Sequence, residues 1–182
     1  GGRSGLRPNR ATIVYTSKIK GLFPGVPVVL GGVEASLRRL AHFDYWAEDV
    51  RRSMLVDAKA DILVYGMGES PILEIARRLR DADEEGGQAD FRRGTGTPPS
   101  AGEPVPRNLP VPLKLLTGIR GTVIVRSSRE GFEDAVMLPS YEEASTDKDK
   151  FNEAFKLAYL EGDPVRGKPV IQKHGERFVI QE

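Results

Sequence analysis

Two glycine-rich segments carry the residue types best suited to hold a ligand. Gly31-Gly32-Val33-Glu34 follows an apolar run at 26–30, and Gly66-Met67-Gly68-Glu69 follows another at 60–65. In an open parallel sheet, ligands lie over the carboxyl ends of the strands, and a glycine lets a ligand come close to the backbone. We therefore predict that six residues of these turns rim one crevice: Gly31, Gly32, Glu34, Gly66, Gly68 and Glu69.

The same turns have a purely structural interpretation, and both interpretations stay open. Glycines make tight connections between a strand and a helix, and a glutamate in the first helical turn stabilises the helix by opposing its partial positive charge. A free helix N-terminus would instead attract an anionic ligand. Neither turn matches G-x-G-x-x-G or a Walker A sequence, so a dinucleotide-binding fingerprint is not supported.

The residues of metal and nucleophile chemistry are scarce. The 182 residues include no cysteine and only two histidines, His42 and His174. Without cysteine the chain can form no disulfide, thiolate zinc site or iron–sulfur ligation, and two histidines do not favour an imidazole-rich metal site. Ser140 has no histidine at a recognisable spacing, and His42 and Asp44 stand two positions apart and need not face each other. We predict no catalytic and no metal-binding residue in this chain.

Paired arginines and an aromatic cluster indicate a different class of function. Arginines on one face would bind phosphates, and Phe43, Tyr45 and Trp46 would stack on bases, which makes an RNA- or nucleotide-binding module the alternative function. Acids stand beside several of the arginines, so we favour a solvated helix surface for them. For the aromatic residues we favour a contact that anchors the core or a neighbouring domain. The arginines are Arg38, Arg39, Arg51, Arg52, Arg77, Arg78, Arg80, Arg92 and Arg93.

The elements that must position the glycine turns follow from hydrophobic periodicity. Each apolar run is short and continuous, which is typical of a strand buried on both faces, and each is followed by a glycine turn and a helical pattern. A further helix is predicted to end near 23–25, ahead of the first strand. Ser70 is a candidate N-cap for the helix after the second strand, with Pro71 at its first position. This succession predicts an α/β fold with a parallel sheet.

Three more elements are predicted toward the end of the chain. Residues 122–126 form a third strand, and 148–160 form an amphipathic helix in which Phe151, Phe155 and Tyr159 recur every four positions. A β-hairpin follows at 169–180.

Composition divides the chain into three parts. Residues 1–80 are predicted to form an α/β core, because they hold both strand–turn–helix units. Residues 81–112 are rich in proline, glycine and acids, and predict a flexible insertion. Residues 113–182 supply the remaining strand, helix and hairpin.

Bulk properties exclude several classes of protein. A composition of 39% hydrophobic and 29% charged residues is typical of a soluble globular domain, and the net charge of +1 gives no general attraction to nucleic acid. No apolar run approaches the roughly 20 residues that cross a bilayer, so we predict a cytoplasmic protein without membrane contact. The chain opens with Gly1-Gly2-Arg3 instead of Met, which predicts a piece of something longer.

Several unusual segments occur in a fixed order and together resemble the YgiQ-like radical SAM proteins. The resemblance covers nearly the whole chain outside 81–112. The matching segments are 31–39 (GGVEASLRR), 42–46 (HFDYW), 50–53 (VRRS), 64–69 (VYGMGE), 119–122 (IRGT), 138–143 (LPSYEE), 147–148 (DK) and 151–155 (FNEAF).

The resemblance implies the amino-terminal part of such a protein. Members of the family carry a cobalamin-binding-like α/β domain, which is flavodoxin- or Rossmann-like with three layers, followed by a radical SAM barrel. The barrel's Cys-x-x-x-Cys-x-x-Cys motif holds a 4Fe–4S cluster and the barrel binds S-adenosylmethionine. This chain would then be a non-catalytic accessory segment that shapes or covers the substrate site, with the barrel of the same polypeptide as its partner.

Two further expectations come from the resemblance. Cobalamin is considered because Gly31-Gly32 sits where cobalamin domains pass a glycine pair beside the corrin tail, but the cobalt-binding Asp-x-His-x-x-Gly motif is missing. If strands of the parent domain are missing, the sheet would expose an unpaired edge, which predicts a homodimer through that edge.

Overall fold

The computed structural model describes residues 5–6, 8–23, 25–85, 113–163 and 165–182. Within those ranges the chain forms six α-helices, one short 3-10 helix at Leu113–Leu116 and eight strands. The helices are α1 (Ala11–Leu22), α2 (Gly32–Leu37), α3 (Met54–Ala58), α4 (Glu69–Glu85), α5 (Tyr141–Thr146) and α6 (Lys148–Leu160). The strands are β1 (Val29–Leu30), β2 (His42–Asp44), β3 (Asp49–Arg51), β4 (Ile62–Val64), β5 (Thr122–Arg126), β6 (Val136–Met137), β7 (Val170–His174) and β8 (Arg177–Gln181).

The main sheet has six strands in the order β1-β4-β5-β8-β7-β6, and β2 and β3 form a separate hairpin. Its two outer pairs are parallel, whereas the three inner pairs are antiparallel. The α/β class, the parallel pairing and the terminal hairpin are therefore confirmed. The hairpin β7–β8 lies inside the sheet, because β8 pairs with β5 on one side and with β7 on the other, and its apolar side chains pack on both faces. As a result β1, β4 and β8 point the same way, and their carboxyl ends share one edge.

Side-chain alternation along the central strands builds a core on each face of the sheet. Leu63, Val123 and Val179 pack with α3 and with Ala35 of α2 on one face. Their chain neighbours pack on the other face with Ile75 of α4 and Leu116 of the 3-10 helix. The fold is thus a three-layer sandwich with a sheet buried on both sides, as the continuous apolar runs predicted.

The outer strands are short, and proline explains one of them. The predicted strand at 26–30 is reduced to Val29–Leu30. Pro27 has no N–H for a ladder, and the Val28 N–H donates to the Asp61 carboxylate at 2.7 Å instead of to a strand. Both outer strands, β1 and β6, have two residues, which leaves little edge for pairing. The homodimer stays a prediction.

The predicted helices lie where the sequence indicated them, but the first residues of α2 and α4 differ from the prediction. Helix α1 ends at Leu22, and α6 spans 148–160 as predicted, with the Asp147 side chain accepting hydrogen bonds from two backbone N–H groups of its first turn. Helix α2 begins at Gly32, inside the predicted glycine turn. The N-cap prediction for Ser70 is wrong: α4 begins at Glu69, and Gly68 supplies the first carbonyl, which accepts from the Ile72 N–H at 3.0 Å.

Helix α4 also passes the predicted boundary at residue 80 and continues to Glu85. The rest of the predicted insertion, 86–112, lies outside the described residues. In the described ranges, no helix has both the length and the apolarity needed to cross a membrane.

Because β5 is central in the sheet, truncating a buried side chain of this strand should lower the free energy of unfolding substantially. Ile124 is 1% exposed in β5, so Ile124→Ala should lower the free energy of unfolding by about 2–5 kcal/mol. Ile72→Ala is the matched control, since Ile72 is 42% exposed on α4 and should change that free energy by about 0.5 kcal/mol or less. Urea unfolding measures both; equal losses would contradict the described core.

Candidate functional site

The two glycine turns meet at the carboxyl edge of the sheet. Gly31 follows β1, and Gly66 follows its parallel neighbour β4 with one residue between. Ser36 of α2 bridges the turns: its hydroxyl donates to the Gly32 carbonyl at 2.9 Å and accepts from the Gly66 N–H at 3.2 Å. The structure therefore brings the two glycine turns together. That the rim binds a ligand remains a prediction.

Backbone conformation explains two of the glycines without a ligand. Gly32 and Gly66 have φ angles of 84° and 67°, in the left-handed region where a side chain is strained. Gly31, in contrast, is extended with φ −160°, a conformation open to any residue. Gly68 is packed closely, because a Cβ there would lie 3.3 Å from Val64 Cγ1.

The two rim glutamates differ in how they are held. The Glu34 carboxylate accepts from the Thr12 hydroxyl at 2.7 Å and pairs with Arg38 at 3.3 Å, so it ties α2 to α1. Glu69 is exposed in the first turn of α4, where its charge opposes the helix dipole. The structural interpretation of both residues thus has direct support from these positions.

Sequence reasoning missed a second set of residues at this edge, centred on Arg39. Its guanidinium lies 4.8 Å from the centroid of the Tyr65 ring, and its Nε donates to Gln181 Oε1 at 2.6 Å. The Tyr65 hydroxyl donates to the Glu182 carbonyl at 2.9 Å. We call Arg39, Tyr65, Gln181 and Glu182 the edge cluster. The available signal was Tyr65, a polar-tipped aromatic residue placed between a buried strand and a glycine turn.

The edge cluster holds a cation in a half-buried position. Burial lowers the pKa of Arg39, and Tyr65 opposes this effect. Burial raises the pKa of Tyr65 despite the neighbouring Arg39 charge, so its phenol stays protonated at neutral pH. No carboxylate of the described residues forms an ion pair with Arg39. A cation beside a neutral phenol and two glycine turns is suited to bind an anionic or polar group. Glu182 is the acid of the cluster: its carboxylate accepts from the Gly118 N–H at 2.6 Å, and burial raises its pKa.

The expected cofactors of the family do not fit residues of this chain. There is no cysteine for a cluster, and the described ranges contain no group of three or more acidic or histidine side chains that could hold a metal. His174 lies at the end of β7, on the sheet edge opposite the glycine turns, and His42 lies in the hairpin β2–β3. Neither histidine is placed to ligate a cobalt at the carboxyl edge.

His174 has a structural role that its hydrogen bonds define. Gln172 Nε2 donates to the Pro139 carbonyl and Gln172 Oε1 accepts from the Ala41 N–H, which fixes the orientation of the amide. His174 Nε2 lies 3.2 Å from that Oε1 and must donate to it, so Nδ1 carries a buried lone pair with no partner among the described residues. Burial lowers the pKa of His174 to about 4, against a raising effect of Glu142.

Several of the described arginines form ion pairs with acids, and these pairs are spread over different elements. Glu74 binds Arg77 and Arg78 within α4, and Asp57 of α3 binds Arg51 and Arg52. Arg92 and Arg93 lie outside the described residues. These ion pairs support the solvated-surface interpretation for the paired arginines. Nucleic-acid binding stays an untested alternative.

The aromatic cluster does not anchor the core, which corrects one of the two predicted roles. Tyr45 and Trp46 are 83% and 80% exposed at the tip of the hairpin β2–β3, and Phe43 packs edge-on against Tyr45. Asp44, between Phe43 and Tyr45 in the sequence, is fully buried and accepts two hydrogen bonds from the Arg10 guanidinium. The turn geometry points the aromatic rings outward because the carboxylate takes the inward position. A contact with a neighbouring domain stays a prediction.

The fold is a three-layer α/β domain, and the edge cluster makes its carboxyl edge polar. The chain contains no cysteine that could ligate an iron–sulfur cluster. The family described as Radical SAM N-terminal matches residues 1–182, and the chain belongs to that family. The resemblance stated above is thereby confirmed.

The most similar curated relatives include several UPF0313 proteins. The chain is 41% identical to one from Clostridium botulinum, 44% identical to one from Geobacter sulfurreducens and 39% identical to one from Methanosarcina mazei. These matches cover 99–100% of this chain but only 24%, 25% and 30% of the respective relatives. The chain thus spans about a quarter of the length of these relatives. No solved structure matches it.

The glycine conformations predict unequal effects of the same substitution. Gly66→Ala forces a side chain into the left-handed region and should lower the free energy of unfolding by about 1–2 kcal/mol. Gly31→Ala is the matched control, because its extended backbone accepts a Cβ and the nearest atom to it is 3.9 Å away. Urea unfolding should show a clearly larger loss for Gly66→Ala, and the reverse order would contradict the described turns.

The lowered pKa of His174 predicts that the free energy of unfolding falls as the pH is lowered. Its pKa is about 4 in the folded chain against an ordinary value of 6.5, so the unfolded state takes up the proton first as the pH falls. The contribution of His174 is present above pH 6.5 and is lost between pH 6.5 and 4, by about 3 kcal/mol in the free energy of unfolding.

This pH dependence is measured by urea unfolding at a series of pH values. His174→Gln removes the titrating group, so its stability should fall less steeply with decreasing pH than that of the unaltered protein. Equal slopes for the two proteins would show that His174 is not the residue responsible.

Proposed function

We propose that this chain is a non-catalytic accessory domain of a longer radical SAM protein, and that its carboxyl edge shapes or covers the substrate site of the parent's barrel. The observation that carries the proposal is the position of the edge cluster. The glycine turns lie beside Arg39, Tyr65 and the end of β8. The polar edge cluster and the glycine turns are therefore on the same edge of the sheet.

The non-catalytic assignment rests on the residues of this chain. It contains no cysteine, so the 4Fe–4S cluster and its bound S-adenosylmethionine belong to the remainder of the parent. The edge cluster pairs a cation with a protonated phenol, an arrangement that binds and orients a polar group.

Covering a site is a function that suits this edge. Closing an active site expels water and prevents side reactions of reactive intermediates. Tyr65 is held by the backbone of residue 182 and by the ring contact with Arg39, so the edge presents a fixed surface. Cobalamin binding is not part of the proposal, because neither histidine lies at this edge.

The proposal predicts which edge of the sheet faces the cluster in the full-length parent. A nitroxide attached at Met67→Cys, in the exposed second glycine turn, should lie near the cluster after anaerobic reconstitution. A nitroxide at Glu176→Cys, in the exposed turn of the hairpin β7–β8 at the opposite edge, is the matched control. The measurement is the enhancement of nitroxide relaxation by the reduced cluster.

We expect stronger relaxation enhancement at position 67 than at position 176. The opposite order would show that the carboxyl edge faces away from the site and would overturn the proposal. A full-length parent that holds no cluster and forms no 5′-deoxyadenosine from S-adenosylmethionine would overturn its radical SAM basis as well.

A further inference from the structure

Helix α6 carries a row of large apolar side chains on its outer face. Phe155 and Tyr159 are 69% and 76% exposed, and their rings stack with centroids 6.5 Å apart. Beside them runs a groove, which we call the α6 groove, between α6 and the segment that follows α2. It is lined chiefly by Leu37, Leu40, Leu138, Phe151, Phe155 and Tyr159.

The exposure of this row follows from how α6 packs. The helix buries its small residues, Ala154 and Ala158, against Leu138 and Val170. The short side chains let α6 approach the sheet closely, and the aromatic rings one position along in the helix are left outside. An amphipathic helix that buries alanines and exposes aromatic residues has its strongest binding face turned outward.

The groove is continuous with the edge cluster. Arg39 lines it, and the same guanidinium group binds Gln181 and lies against the Tyr65 ring. A surface that covers the edge cluster can therefore extend into the groove without a gap. One partner is sufficient for both, and its contact would be apolar over α6 and polar at Arg39, as in other protein interfaces.

We propose that the α6 groove is the docking surface for a part of the parent polypeptide that lies outside residues 1–182. The UPF0313 relatives are more than three times as long as the matched region, so most of a parent chain is available to occupy it. The inference rests on the proposed accessory function and extends it, since it adds the apolar surface by which the domain is held in place.

Photo-cross-linking in the full-length parent tests the occupant. p-Benzoylphenylalanine is incorporated in place of Tyr159, and in place of Tyr15 as the matched control, because Tyr15 is an exposed tyrosine of α1 that does not line the groove. After irradiation, we expect at least tenfold more intramolecular cross-links from position 159 than from position 15 to peptides outside residues 1–182, as counted by mass spectrometry.

Two results would overturn the docking proposal. One is cross-linking between two copies of the chain, which would make the groove a homodimer surface. The other is a yield at position 159 no higher than at position 15. The replaced side chains are exposed, so folding is not at stake, and Tyr159→Asp should also increase the rate of limited proteolysis of the parent several-fold over Tyr15→Asp. Cross-linking needs no cluster, so its failure is distinguishable from a failure of the relaxation measurement.

Discussion

The antiparallel pairing of β5 with β8 joins the two halves of the sheet. Four consecutive residue pairs link these strands, and the backbone of residue 182 adds hydrogen bonds to Gly121 and Thr122. On one side of this pairing lie β4 and β1 with their glycine turns; on the other lie β7 and β6 with α6. Each core is built from both halves, because Val123 and Val179 point to one face while Ile124 and Ile180 point to the other. The position of the edge cluster depends on the same pairing, since it brings Gln181 to Arg39 across 142 positions of sequence.

Buried polar groups on β7 fasten the connecting segments to this sheet. Gln172 is 1% exposed, and its amide binds one backbone group after α2 and another before α5. His174 completes the set by donating to the same amide oxygen. Satisfied polar networks of this kind specify one arrangement, because an alternative packing would leave buried donors and acceptors without partners. The cost is the unpartnered nitrogen of His174, in a ring whose burial lowers its pKa and so makes this network sensitive to acid.

Local patterns in the sequence were sufficient for the elements but not for their arrangement. Residues 122–126 and 148–160 were predicted with the observed bounds, because a β-branched apolar run and a strong helical periodicity are local signals. The insertion of β8 between β5 and β7 depends on long-range pairing, and no local pattern encodes it. Periodicity also identified Phe155 and Tyr159 as one row on α6, but it could not show that the adjoining row of alanines is the buried one. The N-cap was predicted at Ser70, two residues after Gly68, because a glycine carbonyl begins the helix as well as a serine cap does.

The candidate site also has a part that the sequence indicated, the glycine turns, and a part that it did not, the contacts of Arg39. The glycine turns were found because they interrupt apolar runs, and the parallel pairing of β1 with β4 put them together. Arg39 was counted among solvated surface arginines because acids stand beside several of the arginines in the sequence, and its neighbour Arg38 does pair with Glu34 of α2. Only the folded chain separates the two: Arg38 faces Glu34, whereas Arg39 faces Tyr65 and Gln181.

The central place of β8 also has a consequence for biosynthesis. Strands β4 and β5 leave the ribosome long before residues 177–181 do, and until then β5 has an open edge and both cores lack one wall. The sheet therefore closes only after more than fifty further residues have followed β5. Pairing over such a separation is slow compared with local folding, and open apolar strands invite aggregation in the meantime. The nascent domain is thus exposed to chaperones and misassembly from the synthesis of β5 until that of β8, and the arrival of β8 ends that period.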